Sequence, residues 1–168
     1  MKTYILFPNN LELKAHFLLS SEDNFLKTSN DISLDELSFI ESKDNLFYLL
    51  PSTLVSSHTF VQNDKLSHAN NLANFISEVD TDLANDVSEN SFFIFDKNGF
   101  VINKNILDKI NSCLSKLKCK SIVIPDYFIN QASGLDTITQ LNDKFIFAYK
   151  DGTGSVSYTH LRAHETVS

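Results

Sequence analysis

The sequence predicts an α/β fold in which helices flank a mixed sheet. Two short apolar runs, Leu46-Phe47-Tyr48-Leu49-Leu50 and Ile122-Val123-Ile124, are each stopped by a proline, Pro51 and Pro125. Continuous runs of this kind are how strands covered on both faces read. Between and around them, apolar residues recur at spacings of three and four, which is the helical period. Strands that alternate with helices argue against a bundle or a β-sandwich.

Residues 4–7 read as the first strand, closed by Pro8-Asn9-Asn10, and residues 11–19 as a second that completes an opening hairpin. Ser33 is a good N-cap with Glu36 three residues on, so a short helix is expected over 34–40. The run 46–50 is a buried strand, and 55–61 alternates well enough for another. The longest helix is expected over 66–83. Its apolar stripe is Leu66, Ala69, Leu72 with Ala73, Ile76, Val79 and Leu83, and its polar face Asn70, Asn71, Asn74, Ser77 and Asp82. A hairpin follows, with strands at 91–95 and 100–102 around a Lys97-Asn98-Gly99 turn. Ile106, Ile110, Cys113 with Leu114, and Leu117 mark a second amphipathic helix. Strand 121–124 and a last hairpin, 137–141 with 144–149 turning at Asn142-Asp143, complete the expected order.

Composition narrows the function. The chain has 168 residues, of which 42% are hydrophobic and 21% charged, a globular balance rather than a disordered one. The net charge of −7 would repel a phosphate backbone, so no nucleic-acid partner is expected. Cys113 and Cys119 make no disulfide framework and read as small buried hydrophobes of a reducing compartment. No secretory signal is visible, and no apolar stretch approaches the ~20 residues that span a bilayer. The chain as given is therefore expected to be soluble.

The segment 155–168, SVSYTHLRAHETVS, shifts the composition. It carries the only arginine, Arg162, and two of the five histidines, His160 and His164. It resembles a translated adapter sequence and is expected to be a non-native tail, so these residues and Glu165 receive no functional weight.

Catalytic chemistry is poorly supported. Phosphate cradles need glycine so that backbone N–H groups can approach the phosphate. The four glycines, Gly99, Gly134, Gly152 and Gly154, lie in neither GxxxxGK[ST] nor GxGxxG. There is no GxSxG or HExxH, His16, His58 and His68 fall in separate elements, and the two cysteines do not complete a zinc set. The one charged constellation runs from Glu78 through Asp80, Asp82 and Asp86 to Glu89. Read as a calcium loop from Asp80, it fails at the fifth and sixth positions, which are Ala84 and Asn85. It reads either as a solvated acidic helix end or as a docking surface for a basic partner, with Asp80, Asp82, Asp86 and Glu89 as the interface residues. Asp82 and Asp86, four apart, would share a helix face. No catalytic residue, cofactor or metal is expected.

The same region carries a resemblance. Asp80-Thr81-Asp82-Leu83-Ala84-Asn85-Asp86-Val87 followed by Phe92-Phe93 is similar to the "E-D-x-L-x-x-D-hydrophobic…H-F" segment of the type II secretion system protein L family. Leu49-Leu50-Pro51-Ser52-Thr53-Leu54-Val55 resembles that family's "L-L-P-x-x-x-V" strand end, and Ile122-Val123-Ile124-Pro125-Asp126 its "V-P-(D/E)" turn. The order agrees across about 1–154, although Ser91 stands where the family often has His and Asp80 near its usual Glu. The resemblance implies the amino-terminal part of an actin-like, ribonuclease H-related cytoplasmic domain with two lobes, the first over 1–92 and an incomplete second over 93–154. It further implies a non-catalytic scaffold at the cytoplasmic face of a bacterial inner membrane, anchored through a later span. The implied partners are the cytoplasmic secretion ATPase and other inner-membrane platform proteins, and a homodimer is among the assemblies it allows. Two readings compete: an actin-like platform protein of type IV pili, and an active actin-like ATPase or sugar kinase. Both call for a nucleotide site, and the scarcity of glycine counts against that.

Overall fold

A computed structural model of the chain describes residues 1–9, 13–22, 25–128, 137–141, 144–149 and 154–158. The strands, in chain order, are β1 (Thr3–Pro8), β2 (His16–Glu22), β3 (Phe25–Ile32), β4 (Asn45–Leu50), β5 (Val55–Thr59), β6 (Asn90–Phe95), β7 (Asn98–Asn103), β8 (Lys120–Pro125), β9 (Thr137–Leu141), β10 (Lys144–Ala148) and β11 (Gly154–Tyr158). The α-helices are α1 (His68–Val79) and α2 (Lys104–Leu114). The expected mixed α/β architecture is what the chain adopts.

Five strands form the first sheet in the order β3-β2-β1-β4-β8. β1 to β3 meander antiparallel, while β4 runs parallel to β1 and β8 parallel to β4. The apolar runs of β4 and β8 lie side by side, Phe47 opposite Ile122 and Leu49 opposite Ile124. β8 belongs to this sheet although it lies beyond residue 92, so the sheet draws on both of the stretches the sequence divides there. The other sheets are β5-β7-β6 and β11-β10-β9. β11 continues past the composition boundary at Gly154, its Ser155 to Tyr158 pairing with β10. Residues 159–168, with His160, Arg162 and His164, lie outside the described residues, as does the expected turn at Asn142-Asp143.

Several expectations shift by a definite amount. The second strand starts at His16, not residue 11, and is followed by β3, which the sequence reading leaves unassigned. The Ser33 signal does start a helix, with the Ser33 N–H donating to the Glu36 carboxylate at 3.0 Å. Its six residues, Leu34–Phe39, wind as a 3-10 helix closed by Ile40 N–H to the Leu37 carbonyl.

The long helix is shorter than expected and rotated. It stops at Val79, a separate 3-10 turn covers Asp80–Asp82, and Leu83 lies beyond it, half-buried. The residues α1 buries are Asn71, Phe75 and Val79, four apart, whereas Ala69 and Ala73 face solvent. Asn71, expected on the polar face, is buried because it ties down the preceding loop. Its carboxamide oxygen accepts from Asn63 N–H at 2.8 Å, and its nitrogen donates to the carbonyls of Asn63 at 3.1 Å and Ser67 at 3.3 Å. Ser67 caps the helix, its hydroxyl accepting from Asn70 N–H at 3.2 Å. Asn71→Ala leaves the Asn63 groups without these partners and is expected to lower the unfolding free energy by about 2 kcal/mol in urea titration.

Gly99 also has a different role from the one expected. The hairpin turns at Asp96-Lys97, where Asp96 takes the left-handed φ of 53°. Gly99 lies inside β7, and a Cβ there would stand 2.2 Å from the Phe75 ring. The glycine is required by this close approach, not by the turn.

Two apolar clusters result among the described residues. The larger includes Leu6, Leu46, Tyr48 and Leu50 of the first sheet, Phe100 and Ile102 of β7, and Leu107, Ile110 and Leu114 of α2. The smaller is Phe60, Phe75, Val79, Ile94 and Val101. Consecutive residues of β7 point to opposite faces, so β7 contributes to both. Cys119 is buried as expected and burial pushes its thiol up, while Cys113 is half-buried.

Candidate functional site

In sheets with parallel strands, ligands bind beyond the strands' carboxyl ends, where helix and loop N–H groups can converge. The parallel strands here are β1, β4 and β8. β1 ends on Pro8, β4 is followed by Pro51, and β8 ends on Pro125. A proline offers no N–H and holds the chain away from the turn a phosphate cradle needs. The ends of β4 and β8 are instead tied to each other. Asp126 N–H donates to the Leu50 carbonyl at 2.9 Å, and the buried Asp126 carboxylate accepts from Ser52 N–H at 3.2 Å. Two of the motifs that carry the family resemblance, around Pro51 and around Pro125-Asp126, thus meet in one brace. Tyr127 lies buried beside it, and burial pushes its hydroxyl up to about 12.

The histidines do not converge. His16 is fully buried between β3 and β4. Its Nδ1 lies 3.0 Å from the Ile32 carbonyl, which can only accept, so Nδ1 carries the hydrogen and Nε2 accepts from the Tyr48 hydroxyl at 3.4 Å. His58 sits 2.8 Å from the Ser56 hydroxyl, a contact between strand residues two apart on one face. Among the described residues no group of three or more His, Cys, Asp or Glu could hold a metal ion. Nor does any helix among them have the length and apolar character to cross a membrane.

The acidic residues singled out in the sequence, Asp80, Asp82, Asp86 and Glu89, are all exposed. They are not on one helix. Asp80 and Asp82 form the 3-10 turn after α1, and Asp86 precedes another, Val87–Glu89. The expected shared face of Asp82 and Asp86 therefore does not exist. Asp86 instead caps the second turn, accepting from Ser88 N–H at 2.8 Å, and the hydrogen bonds from Ser88 hold its carboxyl below its ordinary value. Asp82→Asn is accordingly expected to leave the melting temperature unchanged, whereas Asp86→Ala lowers it.

The sequence reading does not anticipate one further feature. β6, β7, α2 and β8 enclose an apolar groove of about 520 Å³, with Phe93 and Phe95 on one wall and Ile122 on the other. Phe93 is 45% exposed and Phe95 66%, while Ile94 between them is buried under α1. The run Phe92-Phe93-Ile94-Phe95 was the available signal, since a strand with only one covered face would alternate apolar with polar residues.

No family model matches the chain, and no curated protein matches it. Among solved structures, the cytoplasmic domain of EpsL, an inner membrane component of the type II secretion system of Vibrio cholerae, matches with a TM-score of 0.71 at 12% identity. The match covers 94% of this chain and 71% of that one. A Bacteroides thetaiotaomicron protein of unknown function, described as having an actin-like ATPase fold, matches with a TM-score of 0.43 at 9% identity, covering 94% of this chain and 70% of that one. The five-stranded sheet, antiparallel through β1 to β3 and parallel through β1, β4 and β8, is mixed, as the sequence predicts. The chain has the fold of the EpsL cytoplasmic domain.

Proposed function

We propose that this chain is a non-catalytic scaffold of a type II secretion inner-membrane platform, part of a cytoplasmic domain that recruits the secretion ATPase. The observation that carries the reading is the fold shared with the EpsL cytoplasmic domain over 94% of the chain. The strand ends support the non-catalytic part. β1 and β8 end on Pro8 and Pro125 and β4 is followed by Pro51, none of which offers an N–H to a phosphate, and Asp126 ties two of these ends together. The exposed carboxylates of Asp80, Asp82 and Glu89 supply an acidic surface suited to a basic patch on the ATPase.

Two measurements test the proposal. Millimolar Mg-ATP should leave the melting temperature where it is. A rise of several degrees would show a ligand stabilising the native state and would restore the nucleotide-hydrolase reading. In surface plasmon resonance at two salt concentrations, the complete cytoplasmic domain should bind the amino-terminal region of its cognate secretion ATPase. Asp80→Asn with Asp82→Asn should slow association and flatten its salt dependence. Absence of binding by the complete domain would overturn the scaffold reading.

A further inference from the structure

Every residue from Ser121 to Pro125 lines the apolar groove. Side chains of a strand alternate between its two faces, so a strand that turned one face to the groove would contribute every second residue. A strand that contributes them all stands edge-on. β8 is an end strand of the first sheet, with β4 on its inner side, so one wall of the groove is an open strand edge. The ladder fixes which backbone groups that edge offers. Asp126 N–H donates to the Leu50 carbonyl, and Leu50 is the register partner of Pro125. Peptide groups alternate in direction along a strand, so Ile122 and Ile124 bond to β4 while Ser121, Val123 and Pro125 point outward. The N–H that Pro125 lacks is thus not needed by the ladder. Lys120 and Pro125 blunt the two ends of the edge, but Ser121-Ile122-Val123-Ile124 between them carries no charge.

We infer that this edge takes up a short extended segment of a different protein, which pairs with β8 as a sixth strand of the first sheet. The groove sets the chemistry of that segment. Val123 packs toward the larger core. An added strand therefore sends alternate side chains down on the same side, onto Phe93, Phe95, Phe100 and Leu107. Two bulky apolar residues two positions apart suit this floor, and they would cover the Phe93 and Phe95 rings that are otherwise 45% and 66% exposed. Lys118 and Lys120 stand exposed at the amino end of β8. Lys116 has Asp35 at 3.9 Å, whereas among the described residues Lys118 and Lys120 have no ion-pair partner. In a chain of net charge −7, this basic corner calls for a carboxylate at that end of the incoming segment. The β8 strand of a second copy has none to offer, since its Asp126 is buried and tied to Ser52. The surface is separate from the acidic turns, and the inference does not rest on the secretion reading.

A displayed library of random peptides about seven residues long, selected on the full chain, tests it. The expected peptides carry two bulky apolar residues two positions apart and a carboxylate at one end. In fluorescence polarisation, Phe93→Lys should weaken the tightest peptide at least roughly tenfold with circular dichroism unchanged, and so should Lys118→Glu with Lys120→Glu. N-methylation of the peptide separates a strand from a helix without altering the protein. Alternate amides of a paired strand face its neighbour and the rest face away. Methylating one alternate set should therefore abolish binding, and methylating the other should leave it nearly intact. If the protein variants fail to fold, this pair of peptides decides alone. An empty selection, peptides without the alternating pattern, folded variants that bind as the native chain does, or equal loss from both methylated sets would each overturn the inference.

Discussion

Phe75→Ala is expected to lower the unfolding free energy by about 3–5 kcal/mol, the range for removing a large buried aromatic side chain. Phe75 is fully buried and central to the smaller core, its ring 5.3 Å from that of Phe60 and 6.3 Å from that of Phe92. Its position over Gly99 makes the effect separable from a general loss of packing. In the native protein, Gly99→Ala should be strongly destabilising, since the new methyl would stand 2.2 Å from the ring. In the Phe75→Ala background the ring is gone and the methyl has room, so Gly99→Ala should cost much less. A urea-denaturation double-mutant cycle reads the difference as a coupling energy. Additive costs would mean that the ring does not rest on the glycine.

His16→Leu is expected to have an effect of similar size. It leaves the Ile32 carbonyl and the Tyr48 hydroxyl without their imidazole partner, at a cost of about 1–3 kcal/mol for each orphaned group. The same histidine gives the native protein a pH dependence of definite sign. Desolvation by burial lowers its pKa from the ordinary 6.5, against the smaller opposing effect of its bond to Ile32. The unfolded chain therefore takes up a proton near pH 6.5, while the folded one resists until lower pH. The stability contributed by neutral His16 is fully present above pH 6.5 and falls as pH drops from there toward the folded-state pKa. The limiting slope is about 1.4 kcal/mol per pH unit for one proton. Urea titrations between pH 5 and 8 should show stability falling toward low pH in the native chain, and that fall should be smaller in His16→Gln.

What could be read from the sequence depended on whether a segment's own side chains decide its place. β4, β8, the β6–β7 hairpin and α2 were legible because their apolar residues are dense enough to fix strand or helix unaided. β3 was not, since Lys27-Thr28-Ser29-Asn30-Asp31 reads as loop until β2 provides a ladder for it. β11 was set aside on composition, yet pairing is a backbone property and takes little account of composition. On α1 the period was right and the face was offset: Leu72 and Val79 of the expected stripe do meet the core, while Phe75, which the stripe omits, is buried and Ala69 and Ala73 are exposed. Apolar residues at 72, 75, 76 and 79 cover a broad arc, and the bare backbone of Gly99 leaves room for the Phe75 ring at its centre. The acidic residues are exposed, but the chain between them turns instead of continuing the helix. Of the groove only the β6 wall left a signal in the sequence, because the facing wall comes from β8, separated from β6 by β7 and α2. The brace at Asp126 depends on a contact across 74 positions of sequence, and the motif there signalled only that the residue mattered.

β7 is the wall shared by both cores, with Phe100 and Ile102 in one and Val101 in the other. An element that is interior to two clusters cannot be released by loosening either of them alone. Its amides should therefore exchange with solvent deuterium only through global opening, together with those of its partners β5 and β6 that bond to it. The two cores would then melt as a single cooperative unit, and damage to one would be felt at the far side of the other.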